Sequence, residues 1–578
     1  MANLLKIVSS QYKHLPGRDA DFIDTRALSG GSMLKNEPFS FQTLYRSKDT
    51  FCQPVSIAAE TDLPIEAWRV DYVAAMSVAN PFNEPGYESD RPGLFPDILM
   101  PRPAKPELAP IRVSLGETRF CEKGVDHLLN ATNSDFQSVW FTINPDGKTL
   151  KAGDYSIRIT MTDLKNGALI EEETLTVKVI DAALSPHEVY YTNWFHVDSV
   201  CDLFGVKPYS NAFYKLFDEY ITNMVRHRQN TLLLPAFTPP LDTLIGMERM
   251  NVQLVDVEKT EDGWKFGFEK MRRFVRHAKK CGIRTFEHSH LFSQWGAKST
   301  PNIYNTDGVR IFGFDTPATS EKYRSFIRAY LTEFLAFAES EGIRDRLLFH
   351  ISDEPTLDQL EDYRAAREIV ADLLEGYPVA DAMSHFEFYE KGLVNNPVAM
   401  VKYAERFDGK CPNFWLYYTG GTFEHLCTNR LVSNTAALTR VLGLQMYRYN
   451  APGFLQWAYN YYYDFRSLGC CAPQNAPNTY RMYPGVTYLC YPILGRGNRH
   501  VVPSLREKLM AEAFDDLRAL RLLESLIGRE QTLALCQSFL GEEISFHTIP
   551  EGEALRLLRE EINHRIATAC GREGACGR

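Results

Sequence analysis

RLLFHISDEP, residues 346 to 355, is the stretch around which the predicted fold is organised. An apolar run of this length, bounded by a turn signal, is typical of a buried strand. It ends in two adjacent carboxyl side chains, Asp353 and Glu354, and Pro355 closes it. Acids at the carboxyl end of such a strand are poorly placed for packing and well placed for chemistry. An isolated Asp-Glu pair is more often an ordinary surface turn, so its meaning depends on the sequence around it.

After Asp181, strand-like runs alternate with amphipathic helices, which is typical of a parallel sheet with crossover helices. No Gly-rich phosphate turn follows the first of these runs, which favours a (β/α)8 barrel over an open doubly wound sheet. We therefore predict a TIM-like (β/α)8 catalytic barrel over residues 185–503. Its strand-like runs are YYTNWF (190–195), NTLLLPAF (230–237), IRTFEHSHLF (283–292), LLFHISDEP (347–355), PVADAMSHFEF (378–388), CPNFWLYYTGG (411–421) and GFLQWAYNYYYDF (453–465).

The flanking segments predict a multi-domain protein. Residues 1–184 contain short alternating runs between Pro, Gly, Asn and Asp residues, which predicts a β-sandwich region. The Pro-rich stretch 81–106 is predicted to be an ordered loop or a connector, which would divide this region into two small sandwiches. Residues 504–578 are predicted to form a C-terminal helical tail.

Composition restricts the class of partner and the location. A net charge of −10 argues against nucleic-acid or anionic-membrane partners, because both favour basic patches. The first residues show no signal peptide and no run is long enough to span a membrane, so a cytoplasmic location is expected. The 12 cysteines are scattered without CxxC pairs, which predicts mostly reduced thiols. The sequence also shows no metal-ligand spacing and no P-loop, so neither a metal site nor a cofactor is expected. An aromatic content of 12% is common in sugar-handling proteins.

The carboxyl ends of barrel strands meet at one mouth, where active sites of this fold lie. Acids, imidazoles and indoles gathered there fit a sugar pocket. The candidates at these ends are Asn193, Trp194, Glu287, His288, His290, Asp353, Glu354, His385, Glu387, Trp415, Tyr417, Tyr418, Trp457 and Asn460.

The adjacency of Asp353 and Glu354 restricts the mechanism. A retaining glycosidase with a protein nucleophile needs two carboxyl groups about 5 Å apart on either side of the anomeric carbon. Sequence neighbours do not easily bracket a bond in this way, so the second acid would come from another strand, as Glu287 or Glu387. Adjacent acids suit a substrate that carries its own nucleophile, a 2-acetamido group, at an effective molarity of about 10⁵ M or more. The proton donor would then need a raised pKa.

Several ordered motifs resemble glycoside hydrolase family 123 and its relatives known as domain of unknown function 4091. They are FSFQ (39–42), GLFPDILMP (93–101), NWF (193–195), HRQN (227–230), SDEP (352–355), WLYYTGG (415–421), GFLQWAYN (453–460) and SLREKLMAEAFDDLRAL (504–520). The resemblance implies an exo-acting β-N-acetylgalactosaminidase with a retaining, substrate-assisted mechanism and a small saccharide or glycoconjugate substrate.

The same resemblance assigns roles to residues of this chain. Asp353 would polarise the acetamido group, and Glu354 would be the general acid/base. Tyr417 or Tyr418 would hydrogen-bond the acetamido oxygen, Trp457 would form the floor of the pocket and Trp415 a second wall. The remaining expected substrate-binding residues are Asn193, Trp194, His290, Glu387 and Asn460.

Strand parity gives a structural test of these roles. In a regular strand, His350, Ser352 and Glu354 point to one face and Asp353 points to the other. Both acids can therefore face a substrate only if the strand has ended at Asp353. Two other functions remain open from the sequence: a two-carboxylate glycosidase acting on sugars without an acetamido group, and a carbohydrate-binding protein without turnover.

Overall fold

The computed structural model describes residues 4–18, 23, 25–48, 53–75, 78, 86–101, 118–121, 124–131, 135–239, 248–420, 428–463, 469–470, 472–474, 483–495 and 499–573. The chain forms two compact units. The first comprises Met1–His187, Thr428–Arg448 and Val502–Arg578, and the second comprises Glu188–Cys427 and Tyr449–Val501.

The strands of the described chain are β1 Leu5–Ser9, β2 Gly30–Leu34, β3 Phe39–Tyr45, β4 Gln53–Glu60, β5 Ile65–Ala75, β6 Gly93–Met100, β7 Thr118–Cys121, β8 Gly124–Ala131, β9 Gln137–Ile143, β10 Gly153–Asp163, β11 Leu169–Ile180, β12 Tyr190–Asn193, β13 Thr231–Leu234, β14 Asp256–Thr260, β15 Gly263–Gly267, β16 Thr285–His288, β17 Ile303–Tyr304, β18 Arg310–Phe312, β19 Leu347–Leu348, β20 Ala382–Met383, β21 Val398–Met400, β22 Trp415–Tyr417, β23 Gly453–Gln456, β24 Cys490–Pro492 and β25 Val501–Pro503.

The α-helices are α1 Val197–Phe204, α2 Asn211–Arg226, α3 Glu269–Cys281, α4 Glu321–Ser340, α5 Leu360–Val370, α6 Glu387–Glu390, α7 Ala436–Arg440, α8 Leu442–Arg448, α9 Leu505–Ile527, α10 Arg529–Leu540 and α11 Ala554–Glu573. None of the described helices is both long enough and apolar enough to cross a lipid bilayer.

Two sheets form the β-rich part of the first unit. One has the order β1-β3-β9-β5-β6, and the other has the order β2-β11-β10-β4-β8-β7. Alternate side chains of both sheets point into one shared hydrophobic core, as the period of two along a strand requires. Phe41 and Phe141 stack there with their ring centroids 5.2 Å apart. The N-terminal part of the chain is therefore sheet-rich, as predicted.

The Pro-rich stretch 81–106 differs from its prediction as a loop or connector. Residues 93–100 of it form strand β6, which lies at the edge of the first sheet. Pro96 is tolerated because an edge strand does not need every N–H, and the pairing with β5 is irregular between Asp71 and Tyr72. Strands from before and after this stretch lie in the same sheets, so it does not divide the region into two sandwiches.

The helices of residues 436–448 and 505–573 belong to the same compact unit as these sheets. The sequence patterns, by contrast, predict that residues 436–448 lie in the barrel and residues 504–578 in a separate C-terminal tail. Arg506 at the start of α9 forms a fully buried ion pair with Asp97 of β6, at 2.9 Å between Nη2 and Oδ2. Arg559 of α11 forms ion pairs with Glu37 and with Asp516 of α9. Removing one partner from such buried pairs is costly, so these contacts fix the helices to the sheets.

The second unit contains eight parallel strands in its described part, arranged in two sheets. The larger has the order β12-β23-β22-β21-β20 and the smaller the order β13-β16-β19. The predicted closed barrel is not formed as one continuous sheet, because the strands at the joins are short. Few backbone hydrogen bonds between the described residues span the joins. At one join Phe349 N–H donates to Pro378 O at 2.9 Å and Ala380 N–H donates to Phe349 O at 2.8 Å, and at the other Asn230 N–H donates to Tyr191 O at 3.1 Å.

The two parallel sheets share one hydrophobic cluster, to which residues of both contribute. Leu233 and Leu348 come from the smaller sheet, and Ala382, Val398, Trp415, Tyr417 and Leu455 come from the larger. The carboxyl ends of the strands therefore lie around a common core, which places the side chains that follow them at one edge.

Gly453, the first residue of β23, is needed for this packing. A Cβ atom at this position would lie 2.2 Å from the Trp415 ring. We expect Gly453→Ala to destabilise the protein by roughly 1–3 kcal/mol, because a buried indole has no space to withdraw. Urea denaturation measures this change. Gly93→Ala, which also opens a strand but has its nearest neighbour at 4.0 Å, is the matched control. Equal stability of the two variants would contradict the packing described.

Candidate active site

The acid pair lies beyond the end of strand β19. Regular pairing covers Leu347–Leu348 and continues only as a single bridge at Phe349. Glu354 has a φ of 42°, in the left-handed region that non-glycine residues seldom adopt. Its N–H donates to Ala382 O at 3.1 Å, and the Asp353 carbonyl accepts from Trp295 N–H at 2.8 Å. Strand alternation has therefore ended before Asp353, which is the condition that strand parity sets for both acids to face a substrate.

Tyr417 supports the second acid of the pair. It is the last residue of β22, and its hydroxyl donates to Glu354 Oε1 at 2.7 Å. The phenol ring is buried in the cluster shared by the two parallel sheets, so its orientation is fixed. Glu354 is thereby held at the carboxyl edge of the strands with one oxygen occupied.

Burial controls the protonation of both acids. Burial raises the pKa of Asp353 well above its usual range, and the charges of Glu354 and Asp381 raise it further against the opposing charge of His350. Burial also raises the pKa of Glu354, and the hydrogen bond from Tyr417 opposes this rise. Two neighbouring carboxyl groups in this environment favour a state that holds one proton and one negative charge, and their titration belongs to the pair.

His350 lies beneath the pair between two buried carboxylates. Its Nε2 is 3.0 Å from Glu287 Oε2, and its Nδ1 is 3.5 Å from Asp381 Oδ1. Burial alone would lower the pKa of His350, but Asp381 and Glu287 raise it to about 9. The imidazole is therefore a cation at neutral pH, and it balances acids that would otherwise be buried with uncompensated charge.

Asp381 also fixes the backbone that leads to the acid pair. Its carboxylate accepts from Ile351 N–H at 2.9 Å and from Ser352 N–H at 3.3 Å. Tyr363 donates its hydroxyl to the same carboxylate at 2.5 Å. Three donors of this kind fix the path of residues 351 and 352, so Asp381 positions the chain immediately before Asp353.

The pH dependence of stability tests the His350 contacts. Because its pKa in the folded protein exceeds the ordinary value of about 6.5, proton binding favours folding. This contribution is complete below about pH 6.5 and is lost as the pH rises through about 9. We expect the free energy of unfolding of the wild-type protein to fall by roughly 1–3 kcal/mol between pH 6.5 and 9, and this fall should be absent in His350→Gln. Urea denaturation at both pH values measures the difference. An unchanged pH dependence in the variant would show that His350 is not charged in the folded protein.

Three of the predicted site residues lie together: Asp353, Glu354 and Tyr417 are joined by sequence or by a hydrogen bond. His290 is close to the network beneath them, with its ring 4.9 Å from that of His350 and 5.3 Å from that of Trp194. The Nδ1 atom of His290 is buried without a hydrogen-bond partner, and burial lowers its pKa well below the usual range. A neutral His290 therefore has an unused polar atom beside the site.

Several predicted substrate-binding residues are instead used within the fold. Asn193 is fully buried and donates to Gln229 Oε1 at 2.9 Å. Asn460 is fully buried and accepts from His196 N–H at 2.8 Å. Trp194 is buried and donates its indole N–H to Glu287 Oε2 at 2.8 Å. These contacts give all three residues a packing role.

The predicted pocket aromatics are found in different places. Trp415 stacks on Tyr190 at 4.8 Å and lies at the first position of its strand, the amino end, so a role as a pocket wall does not fit its position. Tyr418 is buried against Phe454, with ring centroids 4.9 Å apart. Trp457 directly follows β23 and is half-buried beside Tyr461, at the edge where a pocket floor is expected.

The acids and histidines of the other strand ends also differ in environment. Glu287 is fully buried and accepts from Thr192, Trp194 and His350, whereas Glu387 is half-buried at the start of helix α6. His288 is buried and contacts Tyr330, and His385 is half-buried. Among the described residues, no three His, Cys, Asp or Glu side chains are arranged to hold a metal ion.

Two residues that the sequence patterns did not single out belong to this region: Asp381 and Trp295. Asp381 interrupts the apolar run PVADAM directly before strand β20, and an acid inside a buried apolar run is a signal for a specific contact. Trp295 has no comparable sequence signal, because its position depends on the loop that holds it.

Cys201, Cys281, Cys411 and Cys536 carry free thiols. Cys570 in helix α11 is disulfide-bonded, which the scattered cysteine spacing did not predict.

Comparison with known proteins is consistent with this architecture. The family model described as glycoside hydrolase 123, catalytic domain, matches residues 194–523, more than half of the chain. A solved structure of a family 123 glycoside hydrolase from Clostridium perfringens, described for glycolipid glycan hydrolysis, has a TM-score of 0.71 at 13% identity over 98% of each chain. A β-glucuronidase from Ruminococcus gnavus has a TM-score of 0.30 at 7% identity, over 89% of this chain and 96% of the other. No curated protein matches the sequence.

Proposed function

Because the chain belongs to glycoside hydrolase family 123, we propose that it releases terminal β-linked N-acetylgalactosamine by a retaining, substrate-assisted mechanism. The observation that carries this proposal is the position of the acid pair. Adjacent carboxyl groups lie beyond the end of a strand, with Glu354 in a left-handed conformation and hydrogen-bonded to Tyr417. Backbone strain of this kind costs about 1–3 kcal/mol and persists only where the surrounding structure enforces it, and such residues cluster at active sites.

Glu354 is the proposed general acid. It transfers its proton to the glycosidic oxygen while the acetamido oxygen of the substrate attacks the anomeric carbon. The bond between that carbon and the leaving oxygen breaks, and an oxazoline intermediate forms that keeps the N–H proton and therefore carries a positive charge. Glu354 then accepts a proton from water, which attacks the same carbon, reopens the oxazoline and regenerates the acetamide. Two inversions give net retention.

Asp353 is the proposed partner of the acetamido N–H. As the carbonyl oxygen attacks, positive charge develops on the acetamido nitrogen, and a carboxylate beside it stabilises that charge. In the free enzyme the pair shares one proton, because burial disfavours two charges. An N–H donor from the substrate favours the ionised form of Asp353, so the proton is left on Glu354, where the leaving group needs it.

The two-carboxylate alternative finds less support among these residues. Glu287 has its carboxylate oxygens occupied by Thr192, Trp194 and His350, with no exposed surface, so it is poorly placed to attack a sugar. Glu387 lies at the start of a short helix, and no contact between its carboxyl group and the acid pair is seen among the described residues.

We also propose that the eight parallel strands of the second unit form a (β/α)8 barrel, with the β-rich region of the first unit as a sandwich. The order of strands around the two parallel sheets follows the chain order, and one hydrophobic cluster is common to both sheets. A barrel with these strands would have the acid pair at its carboxyl-terminal mouth.

A panel of nitrophenyl glycosides tests the proposed function. We expect release from β-N-acetylgalactosaminide in preference to β-N-acetylglucosaminide, none from plain β-galactoside, and inhibition by a thiazoline that mimics the oxazoline. Failure to release either N-acetylhexosamine would remove the proposal. Activity on the plain β-galactoside with loss in Glu387→Gln would favour the two-carboxylate mechanism instead.

A further inference from the structure

Trp295 is a large aromatic residue exposed beside the acid pair. Its side chain is 42% exposed, although the residues on either side, 289–294 and 296–297, are all buried. Single exposed apolar residues are common on protein surfaces, so exposure alone carries little weight. The backbone around this residue supplies the second observation.

Three consecutive residues have a left-handed backbone: φ is 57° at Trp295, 104° at Gly296 and 58° at Ala297. Only the central glycine adopts this conformation without strain. Its Cβ position also lies 2.6 Å from the Gln359 side chain, so glycine is needed for space as well. Strain in two neighbouring non-glycine residues persists only where the surrounding structure enforces it, and such positions cluster at ligand-binding sites.

The enforcing contacts come from the segment that carries the acids. Trp295 N–H donates to the Asp353 carbonyl at 2.8 Å, and Gly296 N–H donates to Ser352 Oγ at 3.2 Å. The Ser352 hydroxyl in turn donates to Ser293 O at 2.8 Å. The strained loop is therefore attached directly to residues 352 and 353, and the backbone of Trp295 is hydrogen-bonded to a member of the proposed catalytic pair.

We infer that Trp295 forms the platform of the subsite for the leaving group, where it stacks on the pyranose ring next to the scissile bond. This inference rests on the proposed function. An exo-acting enzyme encloses the terminal sugar in its pocket and leaves the remainder of the glycan toward solvent. A buried aromatic side chain is suited to stack on the enclosed terminal sugar. An exposed aromatic side chain beside the acid pair is suited to stack on the sugar ring of the leaving group. The apolar C–H face of a pyranose matches the flat indole.

The test compares a ligand that occupies both sides of the scissile bond with one that occupies only the enclosed sugar site. The substrate is a disaccharide with terminal β-N-acetylgalactosamine on galactose, and the probe of the enclosed sugar site is the thiazoline inhibitor, which has no leaving group. We expect Trp295→Leu to lower kcat/KM for the disaccharide about tenfold while the thiazoline inhibition constant changes less than twofold. Trp295→Phe, which keeps a ring, should recover most of the loss. Val309→Ala, at a 58% exposed residue between strands β17 and β18, is the control and should leave both values unchanged.

Each result has one meaning. Equal weakening of substrate and inhibitor in Trp295→Leu would assign the residue to the enclosed sugar or to the fold, and no weakening of either would remove the platform. Both overturn the inference while leaving the proposed function intact, because wild-type hydrolysis of the nitrophenyl β-N-acetylgalactosaminide tests that function separately. Absence of that hydrolysis would remove the proposed function, and the platform with it.

Discussion

Replacing Glu354 with glutamine is expected to lower kcat for a disaccharide substrate by about 10²- to 10⁴-fold, the contribution of a general acid/base. Glutamine keeps the shape of the side chain and its contact with Tyr417, but it has no proton to give to the glycosidic oxygen. The loss should shrink when the leaving group is dinitrophenolate, because that group departs without protonation. Kinetics with a series of leaving groups measure this dependence.

The Glu354→Gln variant also has an expected pH signature. Burial is the largest cause of the raised pKa of Asp353, and the charge of Glu354 adds to it. In the active form, however, Glu354 holds the proton of the pair, so glutamine should leave the acid limb of kcat/KM, which reports the ionisation of Asp353, where it is. The basic limb, which reports the loss of the Glu354 proton, should disappear. Glu361→Gln, at a side chain 80% exposed, is the matched control and should behave as wild type. A variant that retained full activity on the disaccharide would exclude Glu354 as the acid.

Replacing Asp353 with asparagine is expected to lower kcat by about 10²- to 10³-fold, the usual cost of removing one electrostatic stabiliser of a transition state. The loss should fall mainly on kcat, because the charge on the acetamido nitrogen develops only as the oxazoline forms. In contrast to Glu354→Gln, the loss should not depend on the leaving group, since Asp353 does not protonate it.

Asp362→Asn is the matched control for Asp353→Asn. Asp362 lies 3.5 Å from Lys298 in a solvent-exposed ion pair, which contributes little to stability. Urea denaturation of both variants separates a catalytic loss from a folding defect. A loss in Asp353→Asn that disappeared with dinitrophenolate would mean that Asp353 is the proton donor and that the two acids have exchanged their proposed roles.

The sequence predicts where the strand before Asp353 and Glu354 ends, and the structure agrees. The apolar run before Ser352, the two acids and Pro355 argued against a regular strand through Glu354, and the left-handed turn at Glu354 agrees. The parallel strands could be recognised because long helical patterns separate them. Strand β21 could not, because its three residues are too few to show a period.

Sequence patterns do not predict which distant segments of the chain contact each other. The helix 505–527 has the periodicity of a tail helix, and only the buried pair of Arg506 with Asp97 shows that it belongs with the β-rich unit. Likewise, Asn193, Trp194 and Asn460 follow strands where ligands are expected, but their polar groups are occupied by Gln229, Glu287 and His196. The position of a residue along a strand predicts the edge of the sheet at which it lies, but it does not predict the hydrogen-bond partner of its side chain.

Nucleophilic participation by the substrate underlies the roles proposed for both acids, and a series of N-acyl substituents measures that participation. Successive fluorination of the acetamido methyl group withdraws electrons from the carbonyl oxygen while the leaving group stays the same. We expect kcat/KM for aryl β-N-acylgalactosaminides to fall steeply from acetyl to trifluoroacetyl. A kcat/KM that stays constant across the series would show that the attacking oxygen belongs to the protein, and the proposed roles of Asp353 and Glu354 would then be wrong.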